Sequence, residues 1–396
     1  MKQRGEQDPV PSRPLPEAIR TEEFGLRDDI IYLNHAGVSP WPIRTSEAVR
    51  RFADDNVAAG SLHYPLWLDA EHDLRRQLRD LLHAPSADDI ALLKNTSEAL
   101  SVVAYGIAWR EGDNVVSTDQ EFPSNRIVWQ SLQSRGVEFR EAPIGNTPEP
   151  EEAILSLVDD RTRIVTVSSV QFGTGLRMDL ERIGAFCEQM GILFCVDAIQ
   201  SIGAVDVDVQ RIRADFVMAD GHKWMLGPEG LAVFYCRSSA RDLLGLNQYG
   251  WHMVEEAGNF DVREWTIAKS ARRFECGSPN MLGAQALRAS LSLIIDIGIG
   301  TIEENVLAKS SFICEWVLDN PALELVTPFQ PGRFAGIVTF RLKDGDPSEL
   351  HCYLRERGVI CAIRHGGIRF SPHFYTPAHH IEKALGHVDA FVRSQQ

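Results

Sequence analysis

The stretch VDAIQSIGAVDVDVQRIRADFVMADGHKWMLGPEG (196–230) decides the fold, because two apolar runs in it each lead into a loop. Asp197 lies at the carboxyl end of the first run. The second run, 215–221, leads into a glycine-flanked loop that carries Lys223. Ligands of open α/β sheets bind at the carboxyl ends of the strands. The stretch therefore predicts two strands whose ends bring a carboxylate and a lysine to a ligand site.

Apolar runs and helical patterns alternate on both sides of this stretch. Six short apolar runs predict strands at 89–95, 113–119, 161–170, 192–199, 215–221 and 230–237. Such an alternation is typical of an α/β fold with a mostly parallel sheet that helices cover on both faces. After about residue 280, a long helical pattern and an alternating strand at 332–343 predict a smaller α+β domain.

These patterns divide the chain into three expected parts. Residues 1–30 form an N-terminal arm that belongs to the small domain, and its four prolines before residue 17 prevent a stable helix there. The large domain is expected at 31–285, and the C-terminal small domain at 286–396.

Composition excludes several classes of protein. The 396 residues include 40 basic and 55 acidic side chains, a formal net charge of −15, which argues against broad binding of nucleic acid or anionic membranes. No apolar run approaches the ~18 residues of a membrane span, and the N-terminus lacks the apolar core of a signal peptide. The seven cysteines are scattered, without a C-x-x-C pair, which fits a reducing cytoplasm. The C-terminal histidines lack a matching ligand cluster, so no metal site is expected.

Lys223 and Asp197 together suggest a cofactor. A lysine amine that captures a carbonyl needs burial to lower its pKa. A carboxylate nearby suits a pyridinium nitrogen, and this combination is the signature of pyridoxal 5′-phosphate (PLP). The motifs VDAIQSIGA and DGHKWMLGPEG resemble those of class V aminotransferase-like enzymes, which are PLP enzymes of fold type I. Cysteine desulfurases and isopenicillin N epimerase-like proteins belong to this group. The resemblance runs from about Tyr32 to the C-terminus and implies the PLP-dependent transferase fold.

The resemblance implies a role for each residue of the central motifs. Lys223 matches the lysine that holds PLP as a Schiff base. Asp197 matches the carboxylate that keeps the ring nitrogen protonated, and Gln200 matches the side chain that hydrogen-bonds the phenolic oxygen. His222 matches a phosphate ligand.

Two further motifs match the cofactor pocket of the group. NTSEAL (95–100) corresponds to the phosphate-binding turn, where Thr96 and Ser97 begin a helix whose N–H groups favour an anion. Taken alone, this turn is an ordinary helix cap. In QEFPSNRIVW (120–129), Phe122 takes the place of the ring-stacking residue, usually a histidine in a desulfurase. Taken alone, it is a core phenylalanine.

The remaining assignments concern the substrate and the partner subunit. Arg369, in GGIRFSPHFYT (366–376), matches the arginine that binds the substrate carboxylate, and its guanidinium fork fits that group. His35 is a candidate substrate contact. Ser278, in FECGSPN (274–280), matches a residue that reaches the partner's PLP phosphate, which implies a homodimer.

These assignments predict an enzyme that acts on an amino acid or an amino-acid-derived small molecule, with Lys223 removing the Cα proton to leave a carbanion. Transaminase or epimerase-like chemistry is favoured. The segment 362–371 lacks the cysteine of persulfide-forming desulfurases, and Phe172 stands where those enzymes usually have an asparagine. A C–S lyase or desulfurase-like enzyme is the alternative.

A relative without catalytic activity that acts as a binding module is less favoured, because Lys223, Asp197, Gln200 and Arg369 are all present. A hydrolase would need a nucleophile motif such as G-x-S-x-G, which the sequence does not contain.

Overall fold

A computed structural model describes residues 19, 22–145, 147–261 and 263–395. The helices are α1 (Ile43–Ala59), α2 (Tyr64–Leu81), α3 (Thr96–Gly106), α4 (Ser124–Gln130), α5 (Pro150–Leu155), α6 (Leu180–Met190), α7 (Ser238–Arg241), α8 (Met281–Ile297), α9 (Ile299–Leu318), α10 (Pro347–Glu356) and α11 (Ala378–Ser394). The strands are β1 (Ile31–Tyr32), β2 (Ile90–Leu93), β3 (Asn114–Thr118), β4 (Glu138–Ala142), β5 (Thr162–Ser168), β6 (Leu193–Asp197), β7 (Phe216–Asp220), β8 (Ala232–Cys236), β9 (Leu323–Leu325), β10 (Val338–Leu342), β11 (Val359–Ile360), β12 (Ala362–Arg364) and β13 (Gly367–Phe370).

The central sheet of the described chain has seven strands in the order β2-β8-β7-β6-β5-β3-β4. Strand β8 runs antiparallel to β7 and β2, and the other neighbouring pairs are parallel. This confirms the predicted α/β class with a mostly parallel sheet. Strand β4 was not predicted. It lies at the sheet edge with a largely exposed, charged sequence, EFREA, so it lacks the apolar run of a buried strand.

Alternation along the strands sorts the core into two layers. On β6, Phe194 and Val196 pack on one side of the sheet with Leu74 of α2 and Leu287 of α8. On the other side, Cys195 packs in the layer that contains the buried side chains of α3 and α4. Because side chains alternate along a strand, Asp197 faces the same side as Cys195.

The C-terminal elements form a separate core around a four-stranded sheet of order β12-β13-β10-β9. Strand β1 pairs in parallel with β11, and Ile31 and Leu33 are buried in this C-terminal core. Packing therefore groups residues 31–33 with the small domain, whereas the sequence assigned them to the large one. The division into domains remains a prediction, and most of the predicted arm, 1–18 and 20–21, lies outside the described residues.

The long helical pattern after residue 280 becomes a pair of helices in the structure. The run after residue 280 breaks at Gly298, whose φ of +86° lies in the left-handed region that glycine tolerates. Within the described residues, no single helix is long and apolar enough to cross a membrane. Helices α8 and α9 meet that criterion only as a pair, with an 84° bend between them.

A buried ion cluster fastens α2 to the loop that follows residue 274. The Arg75 guanidinium donates to both oxygens of Glu275, at 2.6 and 2.7 Å, and also to Glu71. Glu71, His252 and Glu275 place three potential metal ligands within 4.8 Å of one another. Arg75 donates to both oxygens of Glu275 and to one oxygen of Glu71, so these side chains form a buried ion-pair network.

Replacing Arg75 by methionine is expected to lower the free energy of unfolding by about 3–5 kcal/mol, because it leaves two buried carboxylates without their cation. Urea unfolding of the purified protein measures this. The matched control is Arg76→Met on the same helix, since Arg76 is exposed and pairs only with Asp73. That change is expected to cost about 1 kcal/mol or less. Equal losses for the two variants would contradict the prediction.

Candidate active site

Two strand ends and one tight turn place the predicted lysine and carboxylate. Strand β6 ends at Asp197, which pairs in register with Met218 on β7. Strand β7 ends at Asp220, and the chain turns immediately afterwards, with the N–H of Leu226 donating to the carbonyl of Lys223 at 3.0 Å. Lys223 therefore lies beyond the carboxyl end of β7, beside the end of β6, as the sequence predicted.

A cavity of about 260 Å³ opens at these strand ends. It brings together most of the predicted site residues, namely Thr96, Ser97, Phe122, Asp197, Gln200, His222, Lys223 and Arg369. The Lys223 Nζ lies 5.6 Å from the centroid of the Phe122 ring. Phe122 in turn makes an edge-to-face contact with Phe172, with ring centroids 5.1 Å apart. One wall of the cavity is thus aromatic.

Helix α3 begins at this cavity. The Asn95 side-chain Oδ1 caps the helix by accepting from the Glu98 N–H at 2.9 Å, and the Thr96 hydroxyl accepts from the Asp220 N–H at 3.0 Å. The start of α3 is thereby tied to the end of β7. The first N–H groups of a helix have no partner inside the helix. Those of Thr96 and Ser97 stand at the cavity, so this end of α3 suits an anion.

Burial controls the charges of the central pair. Desolvation lowers the pKa of Lys223; Asp197 opposes the shift and Arg369 adds to it. Desolvation raises the pKa of Asp197, and the carboxylate of Glu121 raises it further. Both groups are driven towards their neutral forms because loss of water outweighs their mutual attraction. A lysine of lowered pKa is suited to act as a nucleophile and base, and a cation that enters the cavity would further stabilise the Asp197 anion.

Arg369 is almost fully buried on β13, with 1% of its surface exposed. Its guanidinium donates to the Phe172 carbonyl at 2.9 Å and contacts the Asn34 side chain at 3.3 Å, while its Nε is buried without a partner. Desolvation lowers the pKa of Arg369 to about 9, and Arg364 contributes to the shift. The group therefore remains a cation at neutral pH, held rigidly at the cavity wall.

Comparison with known proteins identifies the family. The model of the family Aminotransferase class-V matches residues 31–384. The chain belongs to the class V aminotransferase family. It is 32% identical over 393 residues to a probable cysteine desulfurase of Methanothermobacter thermautotrophicus, covering 92% of this chain and 96% of that relative.

Solved structures show the same fold. The apo cysteine desulfurase of Thermococcus onnurineus superposes with a TM-score of 0.85 at 26% identity, covering 97% of this chain and 99% of the other. A mutant of C-DES with glycine covalently linked to its PLP cofactor has a TM-score of 0.86 at 21% identity, covering 93% of this chain and 98% of that one. These comparisons confirm the expected PLP-dependent enzyme of fold type I.

The cavity of this class V enzyme fits PLP group by group. The start of α3 suits the phosphate, Asp197 suits a pyridinium nitrogen, and Lys223 suits the aldehyde carbon. Two polar atoms at the cavity, Asp220 Oδ1 and His222 Nδ1, are buried without hydrogen-bond partners. They lie 3.0 Å apart, so they face each other without a well-directed hydrogen bond. Such unmatched polar groups are typical of a site that a polar ligand completes.

Two predicted residues do not reach this cavity. His35 is fully buried, with Nδ1 bonded to the Ser371 carbonyl at 2.8 Å and Nε2 to the Tyr375 hydroxyl at 2.7 Å. Both ring nitrogens are therefore bonded within the chain, and the substrate contact of His35 remains a prediction that this geometry does not favour. Ser278 is exposed beside a separate cavity of about 360 Å³. Its role in a partner's site, and with it the homodimer, remains a prediction.

The structure also places residues at the site that sequence reasoning did not select. Arg364 lines the cavity as a second guanidinium. The sequence feature that could have indicated Arg364 is its position five residues before Arg369, on strand β12, which pairs with β13. Glu121 is buried behind Asp197 and accepts hydrogen bonds from Asn125 at 2.9 Å and Gln171 at 2.9 Å. It directly precedes Phe122 in the quoted motif, but a lone carboxylate gives no sign of burial.

Proposed function

We propose that this enzyme cleaves the C–S bond of cysteine or of an S-substituted cysteine by β-elimination. The sequence offered this chemistry as the alternative to a transaminase or epimerase, and the comparisons favour it. Relatives named cysteine desulfurase match nearly the whole chain, at 32% identity in one case and 28% in a second, from Pyrococcus abyssi. One structural observation supports elimination: the cavity contains a buried lysine and a buried arginine, and no cysteine among the described residues lines it.

Arg369 and Lys223 perform the binding and proton-transfer steps of this proposal. The Arg369 guanidinium holds the substrate carboxylate, which orients the amino acid in the cavity. The Lys223 amine removes the Cα proton in its neutral form, which burial makes more accessible by lowering its pKa to about 8. Bound PLP supplies an electron sink for the electron pair left at Cα. The Cβ–S bond then breaks, and the sulfur leaves as a thiolate.

The products follow from the balance of atoms. Loss of the Cα proton and of the thiolate leaves an unsaturated amine, which water converts to pyruvate and ammonia. Cysteine and one water thus give hydrogen sulfide, pyruvate and ammonia. A desulfurase that forms an enzyme persulfide would give alanine instead, because its own thiol takes the sulfur atom.

No cysteine among the described residues lines the Lys223 cavity, and all seven cysteines are described. Cys361 is the nearest in sequence to the loop that carries a thiol in desulfurases. It is 7% exposed, and desolvation raises its pKa to about 12. A buried, protonated thiol is a poor nucleophile. The turn between β12 and β13 contains only His365 and Gly366, which leaves no room for a thiol-bearing loop.

Product analysis tests the proposal. The purified enzyme with PLP is incubated with L-cysteine, from which elimination would release sulfide, or with L-cystine, from which it would release cysteine persulfide. Pyruvate, alanine and the sulfur product are measured. We expect one molecule of pyruvate for each molecule of the sulfur product, and no alanine. Alanine formation would show persulfide chemistry, and an exchange of amino groups or inversion at Cα without sulfur release would support the transaminase or epimerase alternative.

Cys361→Ala gives a second check on the same point. We expect the variant to release sulfur within about twofold of the wild-type rate, since this thiol is buried and therefore inert. Cys352→Ala, which changes an exposed thiol, is the matched control. A selective loss of sulfur release in the Cys361 variant, with an unchanged melting temperature, would contradict the thiol-free route.

A further inference from the structure

The carboxamide of Gln200 is held in one orientation by two partners of fixed polarity. The indole N–H of Trp224 donates to Gln200 Oε1 at 2.9 Å, and Gln200 Nε2 donates to the Ala36 carbonyl at 3.1 Å. An indole N–H can only donate and a backbone carbonyl can only accept. The amide cannot be rotated by 180° without losing both bonds. Its second N–H is therefore the group that Gln200 offers to the cavity that it lines.

We propose that Trp224 is a positioning residue that aims this N–H of Gln200 at the cofactor, and that His373 holds Trp224 in place from the small domain. The proposal rests on the role assigned to Gln200 as a donor to the phenolic oxygen of PLP. It adds a residue that acts through Gln200 and does not itself line the Lys223 cavity.

The Trp224 side chain is fully buried in the same core layer as Ala335, Ile337 and Phe374 of the C-terminal part of the chain. A Cβ atom built on Gly336 would lie 2.3 Å from the Trp224 ring, so the small domain packs directly against the indole at a position that only glycine can occupy. The His373 ring lies against the same indole, with centroids 5.3 Å apart. The ring therefore has no room to turn its N–H away from Gln200.

His373 also fixes the backbone of Trp224 through one defined tautomer. The N–H of Phe374 donates to His373 Nδ1 at 2.8 Å, so Nδ1 is the unprotonated nitrogen. His373 Nε2 then carries the hydrogen and donates to the Trp224 carbonyl at 3.0 Å. Desolvation holds the pKa of His373 well below its usual value, which keeps the ring neutral and the tautomer unchanged. Trp224 is the residue next to Lys223, so this bond anchors the lysine turn as well.

A second neutral histidine supports the first. His35 must donate from Nδ1, because its partner is the Ser371 carbonyl, and its Nε2 accepts from the Tyr375 hydroxyl. Desolvation lowers the pKa of His35 to about 4, so it is neutral at working pH. The His35 and His373 rings meet edge to face at 5.3 Å. The structure thus shows what His35 contacts: it bonds the Ser371 carbonyl and the Tyr375 hydroxyl, and its ring packs against His373.

The first measurement is the pH dependence of the visible absorption band of the PLP-loaded protein. A hydrogen bond to the phenolic oxygen favours its anionic form, so Gln200→Met is expected to raise the pKa of the band. Trp224→Phe removes only the indole N–H and keeps an aromatic ring. We expect it to raise the pKa in the same direction and to weaken equilibrium PLP binding by up to about tenfold, as for loss of one hydrogen bond.

A double-mutant cycle makes the test specific to positioning. In the Gln200→Met background, Trp224→Phe is expected to cause no further shift of the band, since Trp224 acts only through the amide. Trp109→Phe is the matched control, because its indole N–H donates to the Ala104 carbonyl at 2.7 Å, away from the cavity. Melting temperatures of all variants report any general loss of structure.

Two results would overturn the positioning role. One is a Trp224→Phe variant that behaves like Trp109→Phe in both band pKa and PLP affinity while Gln200→Met shifts the band. The other is a Trp224→Phe shift that persists in the Gln200→Met background. A Gln200→Met variant without any shift would remove the role of Gln200 itself. None of these outcomes depends on the product assay, so failure of the C–S cleavage proposal is distinguished from failure of this one.

Discussion

Replacing Lys223 by alanine is expected to reduce sulfur release by about 10³-fold, a loss within the usual range for a positioned acid–base group. In the proposed mechanism, Lys223 supplies the amine that binds the PLP aldehyde and the base that takes the Cα proton. Alanine supplies neither. The visible absorption of the wild type, a band of the lysine-bound cofactor, is expected to be absent or altered in the variant. Steady-state kinetics and absorption spectra measure the two effects together.

Lys343→Ala is the control for this experiment, since Lys343 does not line the cavity and donates to the exposed Pro321 carbonyl at 2.8 Å. It is expected to match the wild type in rate and colour. A Lys223→Ala variant that keeps the wild-type band and turnover would overturn the assignment of the cofactor lysine. A wild type that stays colourless with added PLP would overturn the cofactor site itself.

Replacing Arg369 by methionine is expected to lower kcat/KM for cysteine by about 100-fold. The substrate carboxylate loses a charged hydrogen-bonding partner, and such interactions contribute about 1.5–3 kcal/mol, where 1.4 kcal/mol is tenfold. Arg369 also bonds the Phe172 carbonyl and Asn34, so part of the effect can pass through structure. The melting temperature of the PLP-loaded variant measures that part.

A substrate without a carboxylate separates binding from structure. Cysteamine lacks the group that Arg369 is assigned to hold, so the ratio of its rates in wild type and variant is expected to be near one. Arg341→Met on the neighbouring strand is the control, because Arg341 is exposed and pairs with Glu324. An equal loss for cysteine and cysteamine would show that Arg369 supports the cavity rather than the carboxylate.

Local pattern was sufficient for the elements that carry the lysine and its carboxylate. Strands β6 and β7 are buried on both faces, so they appear in the sequence as continuous apolar runs, and the polar residue that follows each run marks its end. The glycine-flanked turn after β7 and the capped start of α3 have equally local signatures. Strand β4 escaped prediction because an edge strand needs no such run, and β1 because two residues make no pattern.

The sequence by itself thus determined the cofactor class and the residues at the strand ends, because these depend on periodicity and on motifs within a few residues of each other. Only the tertiary structure decided what the remaining polar side chains do. His35 and Ser371 are 336 positions apart in the chain yet share a hydrogen bond, and Trp224 meets His373 across 149 positions. Burial and partner choice at such distances arise from packing the small domain against the strand ends, and no local pattern encodes that contact.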